Sequence, residues 1–268
     1  MNCVASMEVN HIETLLEEVD QKESLRFLIR DNSTPPVGAV AIEILGYYGS
    51  VGHLVTEEIQ HTAVRRNKLG GIFTSYMTEM VQLSSNEILL PVTILHLEIG
   101  NKPCIFTTTN FAIPDAIGYR LAEELYHFYQ KHEVSKILLI DGVYNQSRSI
   151  DKRPCVHKIT STERQLEVTN ESLTNGKSFT LCGQIASSFL TYWGNDIPVE
   201  LFVVDTFAEY DPISSHTLLL YLADKWGFTG DFSSLEKKAQ KFKTQYVSAL
   251  DDRTHQTEAN EIDSQYFI

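Results

Sequence analysis

At 268 residues the chain can form one large domain or two small ones, and it can bury a core without disulfide or metal staples. Its 43% hydrophobic and 21% charged residues are those of a globular chain and exclude disorder for most of its length. The 22 Lys and Arg against 35 Asp and Glu give a net charge of −13 with no basic block, which disfavours nucleic acid and anionic membranes as partners and favours a basic protein surface.

Residues 1–36 read as a peripheral extension, with a short helix near Glu8–Val19, a strand over Leu25–Arg30 and a stop at Pro35-Pro36. From Val37 an apolar run leads into three glycines, Gly46, Gly49 and Gly52, and then a helical stretch carrying Leu54, Val55, Ile59 and Ala63. Gly70-Gly71 punctuates before a short strand at Ile72–Ser75, and Val92–Ile99 and Pro103–Thr109 read as two more strands.

Pro114 opens a helix whose Ile117, Leu121, Leu125 and Phe128 form one apolar stripe. The run Lys136 to Gly142 is nearly unbroken in its apolarity, as expected of a strand covered on both faces. Residues 145–178 are polar and read as an excursion over the surface, with only Pro154–Ile159 strand-like.

Leu181, Ile185, Phe189, Leu190 and Trp193 then mark a helix, and Pro198–Asp205 another buried strand. Asp211-Pro212 supplies an N-cap and first-turn proline for a helix closed by Gly227. A Ser233-x-x-Glu236 capping box starts the next, with Leu235, Ala239, Phe242, Tyr246 and Ala249 on one side. The alternation predicts a single α/β domain over 37–250, a largely parallel central sheet with helices on both faces and a C-terminal helix. Residues 251–268 read as a flexible acidic tail with the hydrophobic tip Tyr266-Phe267-Ile268.

The segment Gly46-Tyr47-Tyr48-Gly49-Ser50-Val51-Gly52 sits where an α/β fold binds phosphates, but it matches no dinucleotide, P-loop or nucleophile-elbow pattern, so a structural turn through Gly49, Ser50, Val51 and Gly52 is the better reading. Asp141 and Asp205 end buried strands and are the best acid–base candidates of an alternative reading as a small-ligand enzyme for a nucleoside or phosphate. No His or Cys spacing suits a metal, so no cofactor or metal is expected, and Cys3, Cys104, Cys155 and Cys182 read as buried free thiols. No apolar run nears the roughly 20 residues of a membrane span, and the N-terminal residues lack a signal-peptide pattern, which points to the cytoplasm. An aromatic tip with a terminal carboxylate is suited to entering a pocket on another protein.

Taken in order over Val37–Leu250, Ser50-Val51-Gly52-His53-Leu54, the strand Cys104–Thr108, Pro114-Asp115 with its helix, Ile137–Asp141 and Gly194-Asn195-Asp196-Ile197-Pro198 resemble the proteasome assembly chaperone 2 family. The resemblance implies a non-enzymatic α/β protein of the cytoplasm and nucleus that pairs with a sister chaperone and binds proteasome α subunits during α-ring assembly. It also implies docking through a C-terminal hydrophobic-tyrosine-any motif, here Tyr266-Phe267-Ile268, with Phe267 in the tyrosine place and His53 where the family often carries Asn.

Overall fold

The computed structural model describes residues 26–29, 34–44, 50–73, 82–84, 87–89, 92–109, 113, 115–162, 165–168, 184–193, 196–228 and 230–265. Nine strands form one sheet in the order β1-β3-β6-β7-β2-β8-β11-β9-β10, and β4 and β5 form a separate hairpin. The strands are β1 Arg26–Ile29, β2 Val40–Ile44, β3 Arg65–Phe73, β4 Gln82–Ser84, β5 Glu87–Leu89, β6 Val92–Ile99, β7 Lys102–Thr109, β8 Lys136–Tyr144, β9 Val156–Thr162, β10 Gln165–Val168 and β11 Val199–Thr206. The helices are α1 Val51–Thr62, α2 Asp115–Lys131, α3 Gln184–Ser188 with a π turn over Phe189–Trp193, α4 Pro212–Trp226 and α5 Ser233–Gln265.

The α/β architecture with a parallel centre is as expected. Strands β7, β2, β8 and β11 run parallel, and antiparallel wings extend the sheet on both sides. Every residue of β11 is buried, because helices cover both faces. Successive residues therefore serve different cores. Ala41, Ile105, Leu139 and Leu201 pack beneath α2 and α3, whereas Ile42, Phe106, Leu138 and Phe202 pack beneath α1, α4 and the start of α5. Each fully buried aliphatic side chain contributes about 1.5–3 kcal/mol, so these two layers hold the sheet in register.

Four expectations need correction. Gly70-Gly71 lies inside β3, where its two glycines pair with Ile94 and Thr93 of β6 beside a bulge after Lys68, so the strand starts at Arg65 and not at Ile72. Within 145–178 the strand-like Pro154–Ile159 belongs to a longer sheet strand than expected: β9, Val156–Thr162, pairs antiparallel with β11 along Val199–Val204, covering an edge whose backbone groups would otherwise be unpaired, and β10 pairs with β9, while residues 163–164 and 169–178 lie outside the described residues. The segment reads as polar because Lys158 points away from the Ile159 side and pairs with Glu200 at 3.0 Å.

Third, α5 begins at Ser233, and it is Asp231 that accepts from the Ser233 N–H at 2.9 Å, with buried Glu58 of α1 accepting from the Leu235 N–H at 3.4 Å. Bonding to Ser233 holds the Asp231 carboxyl below its ordinary range. Fourth, the helix runs on to Gln265 where a flexible tail is expected; no glycine or proline occurs after Gly230 to stop it. Its apolar stripe ends sooner, since Ala249 is exposed. Gly230 itself is required by proximity, because a Cβ there would lie 2.6 Å from Thr62 Cβ at the end of α1.

Candidate functional site

The carboxyl ends of the parallel strands, where α/β folds place ligand sites, carry a group of buried polar side chains. Asp211 caps α4 by accepting from the Ser214 N–H at 3.0 Å, as its position before Pro212 predicts. It is also ion-paired with Arg148, and both side chains are essentially inaccessible to solvent. The same guanidinium Nη1 donates to the Asp205 carbonyl at 3.0 Å and to Ser214 Oγ at 2.5 Å, while the Phe207 ring lies 4.9 Å from its Cζ. Nε and Nη2 of Arg148 meet no partner. Arg148 thus ties the loop after β8 to the start of α4.

Asp205 is committed to that same loop. Its carboxylate accepts from the Cys155 N–H at 2.6 Å and from Asn145 Nδ2 at 3.0 Å. Asp141 is buried one strand over and accepts from the Gly142 N–H at 2.7 Å. The two aspartates therefore serve backbone and loop closure, as their positions at strand ends allow. The Ser50 Oγ donates to the Glu209 carbonyl at 3.0 Å, which joins the start of α1 to the β11–α4 loop. Ser50 itself holds the left-handed backbone (φ 49°) and gives α1 no side-chain cap, and Val51 and Gly52 are buried. Gly46 and Gly49 lie outside the described residues.

Three residues here had no sequence signal. Arg148 sits in a polar stretch that reads as loop, and only the fold brings it against Asp211, 63 residues on. Glu43 faces the α2 side of the sheet in register with Thr107, only 1% exposed, and neither carboxylate oxygen has a hydrogen-bond partner. Burial pushes its carboxyl well above the ordinary range, and the neighbouring Thr107 hydroxyl opposes this in part. That hydroxyl is itself bonded to the Tyr129 hydroxyl at 2.7 Å. His157 is similarly buried, which lowers its pKa against the pull of Asp205.

Above the buried group, Phe207 stacks edge-on against Tyr246 of α5 at 5.3 Å, and Tyr210 against Phe242 at 5.8 Å. Tyr210, Val247 and, at the end of β8, Tyr144 are exposed apolar groups at this end of the molecule. Such exposed aromatic and aliphatic groups suit contact with another protein. The expected anchor, Tyr266, Phe267 and Ile268, lies outside the described residues, as does Cys182. Of the thiols described, Cys104 is buried, which pushes its pKa up to about 12, whereas Cys155 is exposed. Among the described residues no group of His, Cys, Asp and Glu is placed to hold a metal, and no helix is long and apolar enough to cross a membrane.

The fold and this carboxyl edge define an α/β protein whose polar groups are turned into a structural joint beneath a surface of exposed aromatic residues. By its sequence over residues 45–249 the chain belongs to the PAC2 family. Among curated proteins, none matches the sequence. Among solved structures, it is similar to Pyrococcus furiosus PbaA, described as an archaeal homolog of proteasome-assembly chaperone, with a TM-score of 0.64 at 16% identity, covering 91% of this chain and 99% of that one. It is also similar to P. furiosus PbaB, described as an archaeal proteasome activator, with a TM-score of 0.62 at 15% identity, covering 85% and 99%. A Mycobacterium tuberculosis proteasome-assembly chaperone homologue aligns with a TM-score of 0.51 at 13% identity, covering 78% and 94%.

Proposed function

We propose that this protein is a non-enzymatic chaperone of 20S proteasome assembly, acting on α subunits as they form the α ring. Family membership across residues 45–249 carries the reading. Two features of the chain support it. The aspartates that an enzyme of this fold would present to a ligand hold a loop instead: Asp205 accepts from Cys155 and Asn145. And the net charge of −13 suits a basic receiving surface, with faster encounter at low salt.

In this reading the chain pairs with a sister chaperone and docks through Tyr266, Phe267 and Ile268, which follow directly on α5. A helical arm loses less freedom on docking than a flexible tether, so it gives more affinity for the same contact. Phe267 keeps the ring of the family's tyrosine without its hydroxyl, so the receiving pocket is expected to be apolar around that position. The protein acts in the cytoplasm and nucleus, and uses no cofactor. Release requires that finished particles bind it less well than immature rings.

Affinity capture of the tagged chain from its own cell extract, with and without the last three residues, tests this. Recovery of α subunits and a second chaperone of similar size is expected, with the truncation losing the α subunits and keeping the sister. Recovery of neither at low or moderate salt overturns the proposal.

A further inference from the structure

Helix α4 carries two stripes. Ser215, Leu218, Leu219 and Leu222 are buried, and the three leucines pack onto the sheet. Beside them Thr217, Leu220, Tyr221 and Asp224 recur at i, i+3, i+4 and i+7, the spacing of one helical face. Thr217 and Tyr221 are half-buried, Asp224 is exposed and Leu220 is 48% exposed. A single exposed leucine on a surface is ordinary, but this one stands in the wall of a groove.

That groove, of about 490 Å³, has the four α4 residues on one side and Arg153, Pro154 and Val156 of the β8–β9 loop and β9 on the other. Its middle is apolar: Pro154 is buried, Val156 and Tyr221 pack half-buried against the core beneath α4, and the Tyr221 ring lies 5.9 Å from that of Phe202. Its two charges stand at opposite ends. Arg153 and Thr217 also line the adjoining groove of about 350 Å³ between α4 and α5, so exposed Arg153 lies at the Thr217 end. Asp224 stands two turns, about 10 Å, further along α4, ion-paired at 3.0 Å with exposed Lys225, a contact that water replaces readily. A groove with a cation at one end, an anion at the other and apolar residues between them is complementary to itself when turned by half a rotation.

We propose that this groove seats a second copy of the chain, the two α4 helices packing antiparallel about a two-fold axis between Leu220 and Tyr221. That axis sets Leu220 against Tyr221 of the second copy, and Asp224 against Thr217 and Arg153 of the second copy, so that every contact occurs twice. A partner of one charge would satisfy one end of the groove and oppose the other, whereas a second copy satisfies both. The net charge of −13 on each copy resists approach at low salt, but at about 150 mM it is screened beyond about 8 Å, and the apolar centre and the close pairs remain. A contact of two helical turns and one loop is small, so the dimer is a micromolar one. The pairing rests on the α4 groove alone, not on the proteasome reading.

Sedimentation of the full chain at about 150 mM salt, over about 1–100 μM protein, tests it. A monomer–dimer equilibrium is expected. Leu220→Asp, an exposed position that the fold does not need, is expected to weaken the dimer at least tenfold. R153E and D224K each set like charges together and are expected to weaken it about tenfold. The double variant R153E/D224K restores the dimer, and so does an equimolar mixture of the two single variants, because opposite charges then meet again; circular dichroism confirms that each is folded. A chain that is monomeric at about 100 μM overturns the proposal. So does a dimer that ignores Leu220→Asp, or charge variants that neither the double change nor mixing rescues. A chain monomeric by itself that takes up a different protein through Leu220 also overturns self-pairing and gives the groove to that protein.

Discussion

The two ends of the parallel strands use ionic groups in opposite ways. At the amino ends, Lys136 and Lys158 both reach the Glu200 carboxylate, at 2.9 and 3.0 Å, with the lysine side chains about 30% exposed. At the carboxyl ends, Arg148 and Asp211 are sealed from solvent and share Ser214 Oγ between them. Solvent screens the first arrangement and relaxes easily around a lost partner; nothing can do so at the second. Polar residues at the carboxyl edge of an α/β sheet are therefore not by themselves evidence of chemistry. Here they act as a joint between the β8–β9 loop and α4, on which the aromatic contacts of α5 rest.

The largest expected consequence lies in that joint. Replacing Arg148→Met leaves the Asp211 carboxylate buried with only hydroxyl and amide donors, and costs about 3–5 kcal/mol in urea unfolding. The double variant R148M/D211N, which keeps an N-cap at position 211, recovers much of that loss. If R148M alone costs under about 1 kcal/mol, the two ends of the strands do not differ as argued.

Asp205→Ala is next. It leaves the Cys155 N–H and the Asn145 amide without their acceptor, at a cost of about 1–3 kcal/mol. Amide exchange at Cys155 is expected to rise more than exchange in the middle of β11, because the damage is confined to the loop. Equal acceleration across the sheet would mean that Asp205 supports the core and not the loop.

The third effect has the opposite sign. The folded-state pKa of Glu43 is raised by burial, so the native state holds a proton that the unfolded chain releases above about pH 4.5. Stability is therefore lost as pH rises from the unfolded value through the raised native one. Glu43→Gln carries no charge to bury and is expected to be the more stable protein at neutral pH, with its advantage over wild type shrinking to nothing as pH falls below 4.5. Taking the difference between the two proteins cancels the titration of His157, which both share. An advantage independent of pH would mean that Glu43 is destabilising through its shape and not its charge.

These tests also mark what the sequence could disclose. The strands β6, β8 and β11 and helices α1, α2 and α4 are legible because hydrophobic periodicity and end signals agree there: the Asp211-Pro212 start and Gly227 stop of α4 are local features, and the structure uses both. Strand β9 is legible only in part: Pro154–Ile159 reads as strand-like, but the reach of the strand to Thr162 and its place beside β11 come from the fold alone. The joint is hidden for the same reason. Asp141 and Asp205 stand out by position, but what they do depends on Gly142, Asn145 and Cys155, and Arg148 meets Asp211 only through the fold. The end of α5 reads as a loop because polarity without periodicity resembles one, although neither glycine nor proline occurs there to stop a helix.

The smallest expected effect completes the contrast. Glu200→Gln removes the anion that Lys136 and Lys158 share, yet each lysine can turn to water, and Lys136 also lies 4.9 Å from the Trp226 ring. A pair whose lysines are about 30% exposed behaves closer to a surface pair, worth about 0.2–1 kcal/mol, although Glu200 itself is buried, and this cost should vanish by about 0.5 M salt. The same salt should leave the R148M penalty unchanged, because mobile ions do not enter a site closed to water. Measuring both variants across the salt series separates the two ends by a property that neither mutation alone reveals. If the Glu200 loss persisted at high salt, the amino-end pair would also have to count as buried, and the distinction would rest on the number of hydrogen bonds rather than on access to solvent.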